Sequence, residues 1–223
     1  TTPAQQSFTW NVSQAASGLC GSDAALVGCW PMEEGSGTTL IDATAFGNDA
    51  NLTGSPIFTT GKNGTYALSL NGSGQYGAVP DNDSLDMTTA FTIAGWIKPG
   101  KSATQDLFKK ATLATPGTNG YEIGLSTATK VLFRINQATS GDTYRINSTT
   151  SYPITGTTWM HVTATYSDGV MRLYINGVQE GGDLTAPAPN VNTLPFTMGA
   201  QMTSPRYYQG AMDDVRLYNR ALT

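Results

Sequence analysis

The chain has 223 residues, a formal charge of −4 and a pI near 4.8, with 39% hydrophobic and only 13% charged residues. Its 12 basic residues are scattered, which excludes the clustered Lys and Arg that bind nucleic acid through counterion release, and no apolar run approaches the ~18 residues of a membrane-inserting helix. Abundant Gly, Thr, Ser and Asn suit short strands joined by tight turns, within the size of one all-β domain of roughly 200–250 residues.

Residues 1–19 stand apart. Between Gln5 and Gln14 apolar and polar residues alternate through Phe8, Trp10 and Val12, and Ala15-Ala16-Ser17-Gly18 follows as a linker. A lone strand is not stable, so this one either packs on the main domain or is the remnant of a preceding immunoglobulin-like module, whose Phe-Thr-Trp-x-Val ending it resembles. The main domain then runs over 20–223. A start at Thr1 reads as a piece of a longer protein with flanking domains. Cys20 and Cys29 close a short loop in a Lys-poor chain, which favours a disulfide and an oxidising, extracellular or cell-surface location; the alternative is that Cys29, before Trp30, is a small buried thiol.

Strand-like runs follow at 66–70, 91–98, 121–125, 131–136, 143–147, 159–166, 170–175, 196–199 and 212–218, and loops are expected at 101–119 and 186–195. Glycine-centred turns punctuate them at 35–37, 47–49, 71–72 and 167–169, where positive φ is needed. The clearest hairpin joins Trp159–Tyr166 to Val170–Ile175, with Met160, Val162 and Ala164 on one face and Trp159, His161, Thr163 and Thr165 on the other. The number and spacing of strands predict two packed antiparallel sheets, an all-β jelly-roll sandwich. Trp30, Trp96 and Trp159 are expected in its core.

Several blocks carry a family resemblance: Leu-Val-Gly-Cys-Trp-Pro-Met-Glu-Glu-Gly-Ser-Gly-Thr-Thr (26–39) with Asp42 and Gly-Asn-Asp (47–49), Tyr-Ala-Leu-Ser-Leu-Asn-Gly (66–72), Phe-Thr-Ile-Ala-Gly-Trp-Ile-Lys-Pro (91–99), the 159–177 hairpin, and Gly-Ala-Met-Asp-Asp-Val-Arg-Leu-Tyr-Asn-Arg-Ala-Leu (210–222). Together these resemble the laminin G-like jelly rolls of the concanavalin A-like lectin/glucanase superfamily. Cys29, Met32, Ala45 and Ala50 depart from the usual pattern. The resemblance implies recognition of glycans or proteins on secreted and surface proteins, with calcium as a structural ion, and implies no reaction.

A glycoside hydrolase needs two carboxyls on one face. Glu33-Glu34 and Asp213-Asp214 are adjacent and point to opposite faces, and Glu122 is solitary, so a glycan-cleaving enzyme ranks third. His161 reads as a structural histidine, since no nucleophile motif accompanies it. Carboxylates near the first and last strands point instead to Ca²⁺, which takes six to eight oxygens; Glu34, Asp42, Asp213 and Asp214 are the expected ligands, the alternative being turn capping and backbone hydrogen bonding. For sugar stacking and hydroxyl recognition the candidates are Tyr121, Arg134, Asn136, Tyr144, Arg145, Tyr207 and Tyr208. The expectation is a non-catalytic carbohydrate-binding module; the alternative is a structural or adhesive spacer with a surface protein as partner.

Overall fold

The computed structural model describes residues 19–112, 119–201 and 206–223; the expected strand within 5–14 and its linker lie outside them. In chain order the strands are β1 (Leu26–Trp30), β2 (Thr39–Leu40), β3 (Ala50–Thr53), β4 (Ile57–Thr60), β5 (Tyr66–Asn71), β6 (Tyr76–Val79), β7 (Phe91–Pro99) and β8 (Gln105–Lys110). They continue with β9 (Tyr121–Leu125), β10 (Lys130–Ile135), β11 (Arg145–Ser151), β12 (Met160–Ser167), β13 (Val170–Ile175), β14 (Val178–Thr185), β15 (Phe196–Met198) and β16 (Gln209–Tyr218). One helical turn, α1 (Gln137–Ser140), follows β10.

The strands form two antiparallel sheets, the expected sandwich. The first has the order β14-β13-β12-β7-β16-β5-β4, with β1 also on β16; the second runs β11-β10-β9-β8-β15-β6-β3-β2. The hairpin turns follow from residue type. Asp168 and Gly169 (φ 52° and 75°) join β12 to β13, and Asn176 and Gly177 (φ 49° and 80°) join β13 to β14, the paired left-handed conformations of a tight turn that matches strand twist.

Alternate residues of each sheet meet between the layers. Phe91 of β7 lies 5.2 Å from the Tyr121 ring and 6.0 Å from Phe133, and Trp30 of β1 stacks on Phe196 of β15 at 5.4 Å. These contacts bind the first sheet to the second by burying large apolar area. At Gly95 a Cβ would come within 2.9 Å of the Phe108 ring, so only glycine lets the sheets approach there.

The last strand, β16, organises the first sheet. It pairs with β7 on one side; on the other it pairs with β5 through Gln209–Met212 and with β1 through Val215–Tyr218. The partner changes at Asp213-Asp214, where Asp214 takes φ 48° and the register against β7 shifts. Cys20 is bridged to Cys29 of β1, and Asn219 N donates to Ala25 O (2.8 Å).

Two expectations need correction. The segment 101–119 contains β8, a strand masked in sequence by the charges of Asp106, Lys109 and Lys110, which are paired in the fold. Trp96 and Trp159 lie half-buried on the outer face of the first sheet, where Lys62 and Lys98 ammonium groups cover their rings at 4.9 and 4.8 Å, a cation–π arrangement. Trp30 is in the core as expected.

Candidate functional site

The outer face of the second sheet carries the chemistry. Thr197, Lys109, Glu122, Arg134 and Arg145 stand side by side on β15, β8, β9, β10 and β11 in consecutive registers. Their signs alternate from Lys109 to Arg134, which is how directly opposed positions on neighbouring strands stabilise one another. Lys109 Nζ pairs with Glu122 Oε2, reaches Asp106 Oδ1 at 3.3 Å and donates to Gln201 Oε1 at 2.7 Å. Arg134 gives Nε to Glu122 Oε1 and Nη1 to Asp142 Oδ1, each at 2.5 Å. Arg134 and Arg145 are like charges in register, and Asp142 bridges them, its Oδ2 accepting from Arg145 Nη1 at 3.0 Å.

Protonation follows from these contacts. Burial alone would raise the Glu122 carboxyl, but Lys109 and Arg134 outweigh it and hold the group below its ordinary range. Burial likewise opposes ionisation of Asp142, and its bonds to Arg134 and Arg145 prevail. Asp106 is shifted the other way, because burial and the Glu122 charge outweigh Lys109.

Beside the row opens a cleft of about 390 Å³ lined by Arg134, Gln137, Gly141, Asp142, Arg145 and Arg206, with Thr104, Ser126 and Leu132. On the same sheet face Tyr76 of β6 and Tyr207 stack at 6.3 Å, both half-exposed. Of the residues expected to bind sugar, Arg134 and Arg145 line the cleft and Tyr207 keeps part of its ring accessible. The others are corrected. Tyr121 is core, its hydroxyl donating to Leu85 O at 2.7 Å. Tyr208 is fully buried, accepting from Lys98 N and donating to Ala211 O. Tyr144 packs against the core, and Asn136 is buried, donating to Ala188 O and accepting from Asn190 N to hold the 186–195 loop. Arg206 and Gln137 were missed as site residues, since α1 and the approach to β16 carry no motif that marks their outward side.

The expected calcium ligands fall into two hydrogen-bond networks. Asp42 is saturated: Oδ1 accepts from Cys29 N and Thr44 N, and Oδ2 from Thr44 Oγ1 and Asn48 N. Asp214 is held by Arg216 and Asn63. Asp213 Oδ2 accepts from Lys62 N and Asn63 N, while its Oδ1 is buried without a partner; Glu34 is similar, with Oε1 taking Ile41 N and Oε2 unpartnered. Burial pushes Asp213 up to about 7, with Asp214 and Glu33 adding to the rise against two backbone hydrogen bonds, and Glu34 is also raised, chiefly by burial. Glu33 acts electrostatically on both. Among the described residues no three His, Cys, Asp or Glu side chains gather as a metal-holding group, so Glu34 and Asp213 offer free oxygens and Asp42 and Asp214 do not.

The family model Laminin_G_3, described as the Concanavalin A-like lectin/glucanases superfamily, matches residues 71–223. The chain belongs to this superfamily. The laminin G-like chain is 25% identical over 168 residues to Adhesion G-protein coupled receptor V1 of Danio rerio, an alignment that spans 71% of the chain and 3% of the receptor. Among solved structures, the binding domain of Paraclostridial Mosquitocidal Protein 1 superposes with a TM-score of 0.72 at 18% identity, over 89% of this chain and 50% of that one. Domain 4 of AbnA, a GH43 extracellular arabinanase from Geobacillus stearothermophilus solved with arabinotriose, gives 0.63 at 20% identity, over 91% and 96%. These likenesses establish the laminin G-like fold. No described helix is long and apolar enough to cross a membrane.

Proposed function

We propose that this laminin G-like domain is a non-catalytic carbohydrate-binding module of a secreted or cell-surface protein, and that the ligand lies on the outer face of the second sheet. The observation that carries the reading is the coincidence, on one face, of a polar cleft and the accessible Tyr76–Tyr207 pair, the combination of ring surface and directional polar groups that saccharides require. The AbnA domain crystallised with arabinotriose supports it. Bridging of Cys20 to Cys29 supports the extracellular placement.

Hydrolysis fits the site poorly. A general acid needs a raised pKa together with access to the leaving group. Asp106 and Glu122 are shifted in opposite directions, yet both side chains are closed off and the Lys109 ammonium contacts each of them.

Structural calcium is a separate proposal, centred on Asp213 Oδ1, a buried carboxylate oxygen without a partner. An unpartnered buried carboxylate oxygen is costly, and a hard divalent cation takes such oxygens readily.

The test is a glycan array probed with the whole chain and with Tyr207→Ala and Tyr76→Ala variants of unchanged melting temperature. Binding weakened tenfold or more by either variant supports the reading. A blank array, with capture by a cell-surface protein instead, favours the adhesive reading, which the 25% identity to an adhesion receptor recommends.

A further inference from the structure

We propose that the cleft beside Arg134, Arg145 and Arg206 selects saccharides that carry a carboxylate, sugars of the uronic or sialic acid class. The inference rests on the glycan-binding reading and narrows it.

The lining holds three guanidinium groups and one carboxylate, Asp142. Two of the three are largely committed. Arg134 gives Nε and Nη2 to Glu122 and Nη1 to Asp142, while Arg145 gives Nε to Asn147 (2.9 Å) and Nη1 to Asp142, leaving its Nη2 unengaged. Arg206 is different. Among the described residues its guanidinium takes part in no ion pair, although its charge reaches buried Asp106. A half-exposed cation at the rim of a cleft therefore keeps its planar donor fork available, and that fork matches a carboxylate bidentately.

A second, independent feature asks for a hydroxyl. Gln137, 9% exposed, lines the same cleft, and its Oε1 is buried without a hydrogen-bond donor. Buried acceptors are nearly always satisfied, and a sugar hydroxyl supplies the missing donor once the Gln137 amide turns into the cleft that its side chain lines. Space is available on the adjoining wall: Gly141 (φ 58°) has no heavy atom within 4 Å of the position a Cβ would take, and the volume of about 390 Å³ accommodates a short saccharide. An inorganic anion would engage Arg206 and leave Gln137 unsatisfied. A neutral sugar would do the reverse. A sugar acid answers both.

Calorimetric titration of the whole chain with matched pairs tests this: trigalacturonate against its methyl ester, and 3′-sialyllactose against lactose. At least one acid is expected to bind tenfold or more tightly than its neutral counterpart, to weaken as salt is raised, and to lose that preference in Arg206→Gln. Gln137→Leu should weaken the acid without abolishing the preference. If the neutral partners bind as tightly as the acids, the inference falls while the glycan-binding reading stands. If no carbohydrate binds, in these pairs or on the array, both fall. Each variant is used only after its melting temperature matches that of the parent, so a loss of binding cannot be a loss of fold.

Discussion

Lys109 and Glu122 stand directly opposite each other on β8 and β9, with side-chain exposures of 0% and 1%, so each compensates the other's removal from water. Breaking such a pair leaves an uncompensated buried charge, at a cost of about 3–5 kcal/mol. Glu122→Gln is therefore expected to shift the denaturant midpoint strongly downward at constant m-value, and Lys109→Met to do the same. The double variant should recover part of the loss, because the two facing charges are removed together, and part only, because Arg134 and Asp106 still lose a partner each. Strictly additive losses would contradict the pairing.

His161 governs part of the acid sensitivity. It is 5% exposed, edge-on to Trp96 at 4.9 Å, and burial, aided by the Arg216 charge, lowers its pKa from 6.5 to about 4. The unfolded chain takes up the imidazole proton as pH falls below about 6.5, whereas the folded chain resists until about 4. Stability from this group is thus complete above 6.5 and is lost as pH falls toward 4. The difference in unfolding free energy between the parent and His161→Gln, measured across that interval, should shrink as pH falls. A difference independent of pH would show that His161 does not titrate in this way.

Calcium at Asp213 would bind the folded state only, because the surroundings of that carboxylate are built from residues 62–63 and 213–214, distant in sequence, and so should raise the melting temperature by mass action. Asp213→Asn is expected to erase the increment while keeping an acceptor for Lys62 N and Asn63 N. Asp214→Asn provides the contrast: it weakens the Arg216 pair and should lower melting equally with calcium and with chelator. Identical melting of the parent chain under both conditions would remove the ion from the account.

The Cys20–Cys29 bridge closes a loop with a sequence separation of 9, worth about 2.5 kcal/mol in the chain-entropy model. Intact mass should be lower by two hydrogen atoms than that of the reduced chain. Cys20→Ala is expected to destabilise by roughly that amount, without the cavity that replacement of fully buried Cys29 would add.

The two-sheet sandwich was legible because alternation such as Met160, Val162, Ala164 against His161, Thr163, Thr165 and turns such as Asp168-Gly169 are local signals. Strand β8 was not, since Asp106, Lys109 and Lys110 look solvated until Glu122 and Asp81 come from elsewhere to pair with them. Tyr121 and Tyr208 misled for the related reason that a tyrosine hydroxyl can be satisfied inside the core by backbone groups. Asp42 looked like a ligand and is a hub for backbone donors. The cleft itself is assembled from β10, β11, α1 with the turn after it, and the approach to β16, closed by Thr104 and Ser126, and no local pattern encodes that juxtaposition.

Because Leu26 of β1 lies opposite Tyr218 of β16 and Asn219 bonds to Ala25, the polypeptide comes into and leaves the sandwich at one corner. A pull on the flanking segments would load that corner alone and leave the outer face of the second sheet unstretched. With the bridge intact, the load would pass from Cys20 straight to Cys29, inside the sheet, and the slack of residues 21–25, ahead of β1, would be withheld. Reduction would release that slack, making the tether's mechanical length a function of the redox state around it.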